Sequence, residues 1–309
     1  MIAGRFPNMY LLQGITKKAV LGVRVCSFQQ TPDTTHGKRS VEIMKSGLFI
    51  SVIIVLMLSS VPHLYAGADT DMNSPGKSAE DFSKYTGEMV FVKGGCYQMG
   101  CGSWAGECNR DEKPVHEVCV DDFYIGKYEV TQKQWRELMG GNPSNFKDCG
   151  DNCPVEGVTW DNARKFIRKL NKKTGMKFRL PTEAEWEYAC RSGGKKEKFS
   201  GSNNADEVAW YRNNAGRRTH PVGQKKPNGL GIYDMSGNVL EWVEDIYNSK
   251  AYRKHSRMNP VYKASILGCR VHRGGSWVTK KVKVRCTNRS DFSPTLSGPE
   301  IGFRLVRSK

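Results

Sequence analysis

The sequence predicts one α+β domain with little regular secondary structure. The 32 glycines among 309 residues favour many turns and loops. Helix-start patterns and alternating apolar runs are both present, which predicts helices and strands in the same domain, but each pattern is short. An apolar content of 38%, with 10% aromatic residues, is enough for a hydrophobic core. We find no internal repeat and no second break in composition after residue 87, so one domain of about 220 residues is expected.

An apolar segment near the N-terminus predicts export. Residues 47–62 are almost entirely apolar, Lys45 precedes them, and Ala66-Gly67-Ala68 follows with the small-x-small spacing of a signal-peptidase site. The apolar core of about 12–16 residues is short for a membrane-spanning helix, which needs ~20. No cysteine follows it directly to accept a lipid anchor. Residues 44–68 are therefore predicted to be a Sec-type signal peptide that directs the protein to the periplasm or outside the cell; an uncleaved anchor is the alternative.

The boundaries on either side of this segment follow from composition. Residues 1–43 are predicted to be an extension upstream of a start at Met44, or an unusually long n-region. Residues 69–87 are polar and rich in Asp, Ser and Lys, which is typical of a linker. The domain is expected at residues 88–309, with no membrane span after signal cleavage. Ten cysteines also favour an oxidising compartment.

Local patterns predict the first elements of the domain. The five residues from Met89 form a strand-like run, and Pro114–Tyr128 alternates well enough for a second strand. Thr131 and Gln134 stand at capping-box spacing, which predicts a helix start. Gly140–Cys153 is predicted to be a loop, and a helix with one apolar face should follow it. That face comprises Trp160, Ala163, Phe166, Ile167 and Leu170.

The densest pattern in the domain lies at Phe178–Arg191. Thr182 and Glu185 form another capping box, so a helix should begin directly after Thr182. Trp186 and Cys190 are four residues apart and should face the core together. A short helix that buries a tryptophan and a cysteine is well suited to anchor an irregular fold.

Seven ordered blocks of the domain resemble the formylglycine-generating enzyme, or sulfatase-modifying factor, family. The blocks are Gly94–Gly100, Glu112–Thr131, Pro154–Ala163, Arg179–Arg191, Asn228–Asp245, Arg273–Trp277 and Gly302–Arg304. The resemblance implies the family fold, which is a distorted relative of the C-type lectin fold. For oxidase members it also implies conversion of a sulfatase cysteine to formylglycine, with molecular oxygen and copper held by two thiols.

The two copper-binding thiols of those oxidases are not matched in this sequence. In the oxidases they follow the serine of the Arg-Gly-Gly-Ser block, which is Ser276 here. Thr279 takes the first thiol position, and Lys281 or Val284 takes the second. Neither threonine nor lysine can replace a Cu(I) thiolate. Copper-dependent oxidation is therefore not expected, and Ser276 is a candidate only for a pocket contact.

Cysteine pairing is predicted partly from the resemblance and partly from spacing. The resemblance implies a Cys190–Cys286 disulfide, whereas the other family disulfide has no counterpart because Ile167 and Leu305 take its positions. Cys149 and Cys153 are close enough in sequence to close a tight local loop. The other expected pairs are Cys96–Cys119 across paired strands and Cys101–Cys108 in the loop between those strands. Cys269 is left over. Zinc is the alternative for the closely spaced pairs, although their spacing and export favour disulfides.

The resemblance also implies a calcium site within Asn228–Asp245. Its donors would be a side-chain oxygen of Asp234, the carbonyls of Gly237 and Val239, and the carboxylate of Glu241. This mixture of carboxylate and carbonyl oxygens is the kind of donor set that Ca²⁺ prefers. The alternative is a capped turn in which Glu241 pairs with an arginine.

Histidines and arginines in the blocks give weaker signals. The sequence shows no partner at metal spacing for the histidines, so structural roles are expected for His116, His220 and His272. Three arginines could line a groove for an anionic ligand together with Ser276. These are Arg273, Arg289 and Arg304. Structural arginines paired with carboxylates are the alternative.

The net charge points to anionic partners. The chain carries +17, and since residues 1–68 hold seven Lys/Arg and two Asp/Glu, the remainder carries (48−7)−(31−2) = +12. A basic surface favours an anionic protein or envelope polymer, although scattered solubilising lysines are the alternative. No zinc-finger or RNA-binding signature supports specific nucleic-acid binding.

The sequence therefore predicts an exported member of this family that acts as a binding or accessory module, with calcium and without copper chemistry. Two alternatives remain open. One is an oxidase with an altered active site that acts on a sulfatase cysteine. The other is an envelope-polymer binder driven by charge.

Overall fold

The computed structural model describes residue 26 and residues 82–264 and 268–309. The predicted signal peptide, most of the N-terminal extension and the linker up to residue 81 lie outside the described residues. Phe82 and Tyr85 are buried, so residues 82–87, which composition assigns to the linker, pack with the domain. Among the described helices, none is long and apolar enough to cross a membrane.

The described part of the chain forms five α-helices. They are α1 (Ser83–Thr86), α2 (Gln132–Met139), α3 (Trp160–Thr174), α4 (Glu183–Cys190) and α5 (Ala205–Val208). The Thr131 and Thr182 side chains accept hydrogen bonds from Gln134 N and Glu185 N, as their capping boxes predict. The apolar face predicted for α3 is buried along its whole length. Local capping and periodicity are therefore sufficient to place the three longer helices.

The same part of the chain forms ten strands in three sheets. They are β1 (Met89–Val92), β2 (Gly95–Met99), β3 (His116–Val120), β4 (Phe123–Gly126), β5 (Phe178–Arg179), β6 (Leu240–Ile246), β7 (Arg270–Arg273), β8 (Ser290–Phe292), β9 (Ile301–Gly302) and β10 (Val306–Ser308). One sheet has the order β1-β4-β10-β5, a second is the β2-β3 pair, and the third has the order β8-β7-β6-β9. All neighbours are antiparallel except β6 and β9. Short strands and helices joined by long loops confirm the predicted α+β class.

The single strand predicted at Pro114–Tyr128 is wrong in one respect. The structure breaks it into β3 and β4, which pair with β2 and β1 in different sheets. The break falls at Asp121 and Asp122, which turn the chain. The Asp122 carboxylate accepts a hydrogen bond from Gly94 N at 2.9 Å, and Asp121 N donates to Asn259 Oδ1 at 2.9 Å. The first strand therefore ends at two aspartates, which form hydrogen bonds to Gly94 and Asn259 in other loops.

Helix α4 is the centre of the packing. All eight of its residues are buried, including three glutamates. Trp186 and Cys190 face the core, as predicted, in the cluster that also contains residues of β2, β3, β6 and β7. A helix with charged residues inside a core requires buried cations beside it. Those cations are arginines and are described with the site below.

Five disulfides join the ten cysteines of the chain. The structure forms the four expected pairs, Cys190–Cys286, Cys149–Cys153, Cys96–Cys119 and Cys101–Cys108. Cys96 and Cys119 stand directly opposite each other in the β2-β3 register. Cys269, which spacing leaves unpaired, bonds to Cys26, a residue 243 positions earlier. Sequence spacing carries no information on a pair so far apart.

Candidate functional site

The turn after β7 places Ser276 next to Thr279. Gly274 and Gly275 have φ values of 92° and 72°, and a Cβ on Gly275 would lie 2.7 Å from Val284 Cγ1. Ser276 is buried, its N donates to Thr279 Oγ1 at 2.9 Å, and the two hydroxyl oxygens are 3.0 Å apart. The threonine hydroxyl therefore closes the turn at the position where the oxidases that the sequence resembles carry their first thiol.

The second thiol position of the oxidases is also occupied by other residues here. Residues Lys281–Lys283 form a short 3₁₀ helix in which Lys281 is exposed, and Val284, directly after it, is buried. Lys281 Nζ lies 3.4 Å from an Asp206 carboxylate oxygen. Cys286 follows in sequence, but its sulfur is bonded to Cys190. Of the described residues, no cysteine offers a free thiol to this turn. The donor chemistry does not fit Cu(I), which requires thiolates here.

The groove predicted from three arginines and Ser276 does not form. Arg273, Arg289 and Arg304 are 0%, 3% and 0% exposed, and Ser276 is also fully buried. Each guanidinium faces a buried carboxylate. The shortest contacts are 2.6 Å for Arg273–Glu187, Arg289–Glu183 and Arg304–Glu241. The arginines compensate buried glutamates, two of them on α4, so they cannot also hold an external anion.

Three of the predicted calcium donors lie on the turn before β6, whereas the fourth, Glu241, lies on β6 and already binds Arg304. Both Glu241 oxygens bind Arg304, at 2.6 and 2.7 Å, and one also accepts from Trp186 Nε1 at 2.7 Å. Asp234 has a φ of 59° and accepts a hydrogen bond from Gly223 N at 2.7 Å. The Asp234 carboxylate and the turn carbonyls suit a hard cation, whereas Glu241 matches the alternative of pairing with an arginine.

Excess negative charge surrounds this turn. Glu129, a buried residue that precedes α2, accepts hydrogen bonds from Asn238 Nδ2 at 2.7 Å and from Val239 N at 3.1 Å. Burial raises the pKa of Asp234 to about 6, against the opposing effects of its backbone hydrogen bond and Arg304. Burial and the charges of Asp234 and Glu241 also raise the pKa of Glu129. The buried carboxylates of Glu129, Asp234 and Glu241 therefore have one nearby guanidinium, that of Arg304. This arrangement favours binding of an additional cation at the turn.

Aromatic side chains lie on both sides of the Ser276 turn. Trp277 is half-buried, meets Phe146 edge-to-face at 5.3 Å and donates from Nε1 to the Pro299 carbonyl at 3.0 Å. Trp210 stacks on His220 at 3.8 Å between ring centroids, and Trp210 forms a β-bridge with Gly237. The sequence gives no periodic signal for this arrangement, because the aromatic residues come from three separate loops.

Basic side chains border the same turn. Arg212 N donates to the Thr279 carbonyl at 3.0 Å, and Arg212 Nε donates to the Val278 carbonyl at 2.9 Å. Lys225 Nζ lies 4.0 Å from the centre of the Trp210 ring. The two Arg212 contacts join the loop at residues 210–226 to the loop at residues 276–283. The two loops together form a basic and aromatic surface, which we call the Ser276 face.

The three histidines for which structural roles are expected do not converge. His220 belongs to the Ser276 face, whereas His272 is buried on β7 beside Trp242, and burial lowers the pKa of His272 to about 4. His116 has a partner that sequence reasoning missed: its Nε2 lies 3.1 Å from His255 Nδ1. Among the described residues, these histidines form no group of three metal-binding side chains.

Comparison with known proteins identifies the family. The family model for the "Sulfatase-modifying factor enzyme 1-like domain" matches residues 75–309. The chain belongs to this family. The match begins before the domain boundary at residue 88 that composition suggests, in agreement with the burial of Phe82 and Tyr85.

Relatives in the family carry different names. The "Chaperone protein LppX" of Paenibacillus barcinonensis is 35% identical over 72% of this chain and 90% of its own length. The "Formylglycine-generating enzyme" of Mus musculus is 27% identical over 76% of this chain and 79% of its own length. The structure of PvdO from Pseudomonas aeruginosa superimposes with a TM-score of 0.63 at 26% identity, covering 72% of this chain and 94% of PvdO. Family membership and fold are therefore established. The names of the relatives differ, so they do not assign one activity to this chain.

Proposed function

We propose that this protein is an exported accessory module that binds another protein and does not carry out copper-dependent oxidation. The observation that carries the proposal is the Ser276–Thr279 contact, because a hydroxyl stands at the first thiol position. The four disulfides within residues 88–309 support export, since disulfides persist in oxidising compartments. The fifth, Cys26–Cys269, requires residue 26 and would be absent after cleavage at residue 68. A chain that keeps the scaffold of the oxidases without their thiols is expected to use that scaffold for binding.

The name of one relative favours a protein as the partner. LppX, which is 35% identical to this chain, is named a chaperone protein. A chaperone-like accessory role requires an accessible surface that contacts polypeptide, and the Ser276 face offers half-buried aromatic side chains beside cations. An oxidase with altered chemistry and a charge-driven polymer binder are the competing functions.

Copper binding and oxidation test the proposal directly. Anaerobic titration with Cu(I) and a competing chelator should give no stoichiometric high-affinity binding. Incubation of a sulfatase-derived cysteine peptide with copper and oxygen should leave the cysteine unchanged by mass spectrometry, while mouse formylglycine-generating enzyme converts it. One tightly bound Cu(I) per chain, or formylglycine in the product, would overturn the proposal.

A second measurement addresses the accessory role itself. Light scattering should report less aggregation of a chemically denatured client protein on dilution when this protein is present at a near-equimolar ratio. Serum albumin at the same concentration is the control for nonspecific protection. Equal scattering with both proteins would argue against a chaperone-like role.

We also propose calcium as a resident ion of the Asp234 turn. Asp234 and the carbonyls of Gly237 and Val239 would hold it, with Glu241 remaining on Arg304. The ion would supply the positive charge that the three buried carboxylates lack. Its role would be structural, since it would join residues of the loop that lies beside the Ser276 face.

A further inference from the structure

The 3₁₀ helix at Lys281–Lys283 presents an apolar side chain in a basic surrounding. Val282 is 50% exposed. Among the described residues, the other exposed large apolar side chains are Phe91, Met258 and Leu296. Lys280 and Lys281, which precede it, are also exposed. The helix is held in place by Lys283 N donating to the Lys280 carbonyl at 2.8 Å and by the buried Val284. Val282 is thus displayed on a fixed turn.

The two loops of the Ser276 face carry a concentrated positive charge. With the adjoining helix α5 included, residues 205–226 and 276–283 together contain eight Lys/Arg and two Asp/Glu, which gives 8 − 2 = +6. Lys281 and Lys226 are paired with the two acidic residues. Within the described residues, no carboxylate forms an ion pair with Arg212, Arg217 or Lys280. These three cations are therefore available to an external anion.

We propose that the Ser276 face binds an acidic segment of a partner polypeptide that also carries apolar side chains. The carboxylates of the segment pair with Arg212, Arg217 and Lys280, and an apolar side chain packs on Val282. A polyphosphate or uronate polymer would match the charge but has no apolar side chain for Val282. This inference rests on the proposed accessory function and names the chemistry of its partner. Complementary charge of this kind raises association rates and selects partners.

A labelled acidic peptide provides the test. The probe is a fluorescein-labelled peptide of Glu-Glu-Leu repeats, and its binding to the whole protein is followed by fluorescence anisotropy at low and at physiological salt. The double variant R217E/K280E should bind the peptide about tenfold more weakly, which corresponds to ~1.4 kcal/mol. The variant Val282→Ser should also weaken binding, and the loss should persist at higher salt because it is not electrostatic.

A matched variant separates this surface from net charge. K165E/K172E reverses two exposed lysines on α3 and changes the total charge by the same amount. Its affinity should stay within about twofold of the wild type. Equal weakening in both double variants would overturn the proposal, as would absence of peptide binding. The face would instead be assigned to a polymer if inorganic polyphosphate displaced the peptide and the Val282→Ser variant bound the peptide with unchanged affinity. Stoichiometric Cu(I) binding would overturn the proposed function but would not alter these peptide results.

Discussion

His116 Nε2 lies 3.1 Å from His255 Nδ1, although 139 residues separate the two histidines in sequence. His116 Nδ1 is 3.1 Å from the Pro114 carbonyl, which fits donation by Nδ1–H and leaves Nε2 as the acceptor. The Tyr252 ring packs against both imidazoles, with centroids at 4.9 and 5.3 Å. The two rings therefore share one hydrogen bond in which both histidines are neutral.

Protonation of this pair should destabilise the protein in mild acid. Burial lowers the pKa of His255 from 6.5 to about 4, with His116 and Arg289 adding to the effect and Glu183 and Glu187 opposing it. Between these two pH values the unfolded chain binds a proton that the folded chain does not, so stability falls as pH falls from about 6.5 towards 4. After allowance for its partial exposure, His255 should contribute on the order of 1–2 kcal/mol to this loss.

The variant His255→Gln isolates this contribution. Glutamine can still hydrogen-bond to His116 but does not titrate, so thermal unfolding of the variant should depend less on pH over the same range. The quantity to compare is the Tm of the wild type minus that of the variant, because other titrating groups cancel in the difference. A difference that stays constant from pH 7 to pH 4.5 would show that the pair does not act as described.

Local patterns in the sequence predict much of the fold, but they do not predict contacts between residues that are far apart in sequence. The start of α4 follows from Thr182 and Glu185 because a capping box involves only neighbouring residues. The Cys96–Cys119 pair follows from two adjacent strand patterns. By contrast, the pairing of Cys269 with Cys26 and of His116 with His255 depends on long-range topology. No local pattern encodes those contacts.

The three arginines predicted to line a groove illustrate the same limit for the site. Arg273, Arg289 and Arg304 resemble ligand-binding residues in sequence, because arginine is common in anion sites. Their actual role depends on Glu183, Glu187 and Glu241, which are buried by the packing of α4 and β6. The Ser276 face was likewise not predictable, since its aromatic and basic residues meet only through contacts between loops. Sequence reasoning identified the turn at Ser276 but not the surface around it.

Loss of the Cys190–Cys286 disulfide should cost more stability than loss of Cys149–Cys153. The two bonds span 96 and 4 positions, respectively. In the chain-entropy model these spans correspond to ~4.7 and ~1.9 kcal/mol. Urea unfolding of the paired Cys→Ala variants measures both values. Similar losses for the two bonds would show that loop closure is not the main contribution.

Removal of Arg304 should destabilise the core because Glu241 would remain buried without its cation. We expect Arg304→Met to lower the free energy of unfolding by about 3–5 kcal/mol. Lys226→Met, which breaks the exposed pair with Glu207, is the control and should cost less than ~1 kcal/mol. The double variant R304M/E241Q should recover part of the loss, since it removes the uncompensated charge. No recovery in urea unfolding would indicate that packing, rather than charge, dominates.

Calcium should raise the thermal stability of the wild type through the Asp234 turn. At a calcium concentration about 100 times the Kd, binding to the folded state alone contributes ~2.7 kcal/mol, which for a domain of this size raises Tm by roughly 5–11 °C. Asp234→Asn should reduce this shift because it removes the carboxylate that the proposal assigns to the ion. Scanning calorimetry in calcium and in EGTA measures the difference, and identical Tm values in both would contradict the proposal.

The variant Glu241→Gln decides which oxygens hold the ion. If Glu241 serves Arg304, as the contacts at 2.6 and 2.7 Å indicate, the variant should lower Tm equally with and without calcium. The calcium shift itself should then persist. If Glu241 were instead a calcium ligand, the shift would disappear in the variant while the EGTA value changed little. We expect the first result, because a carboxylate whose two oxygens both bind a guanidinium has little capacity left for a cation.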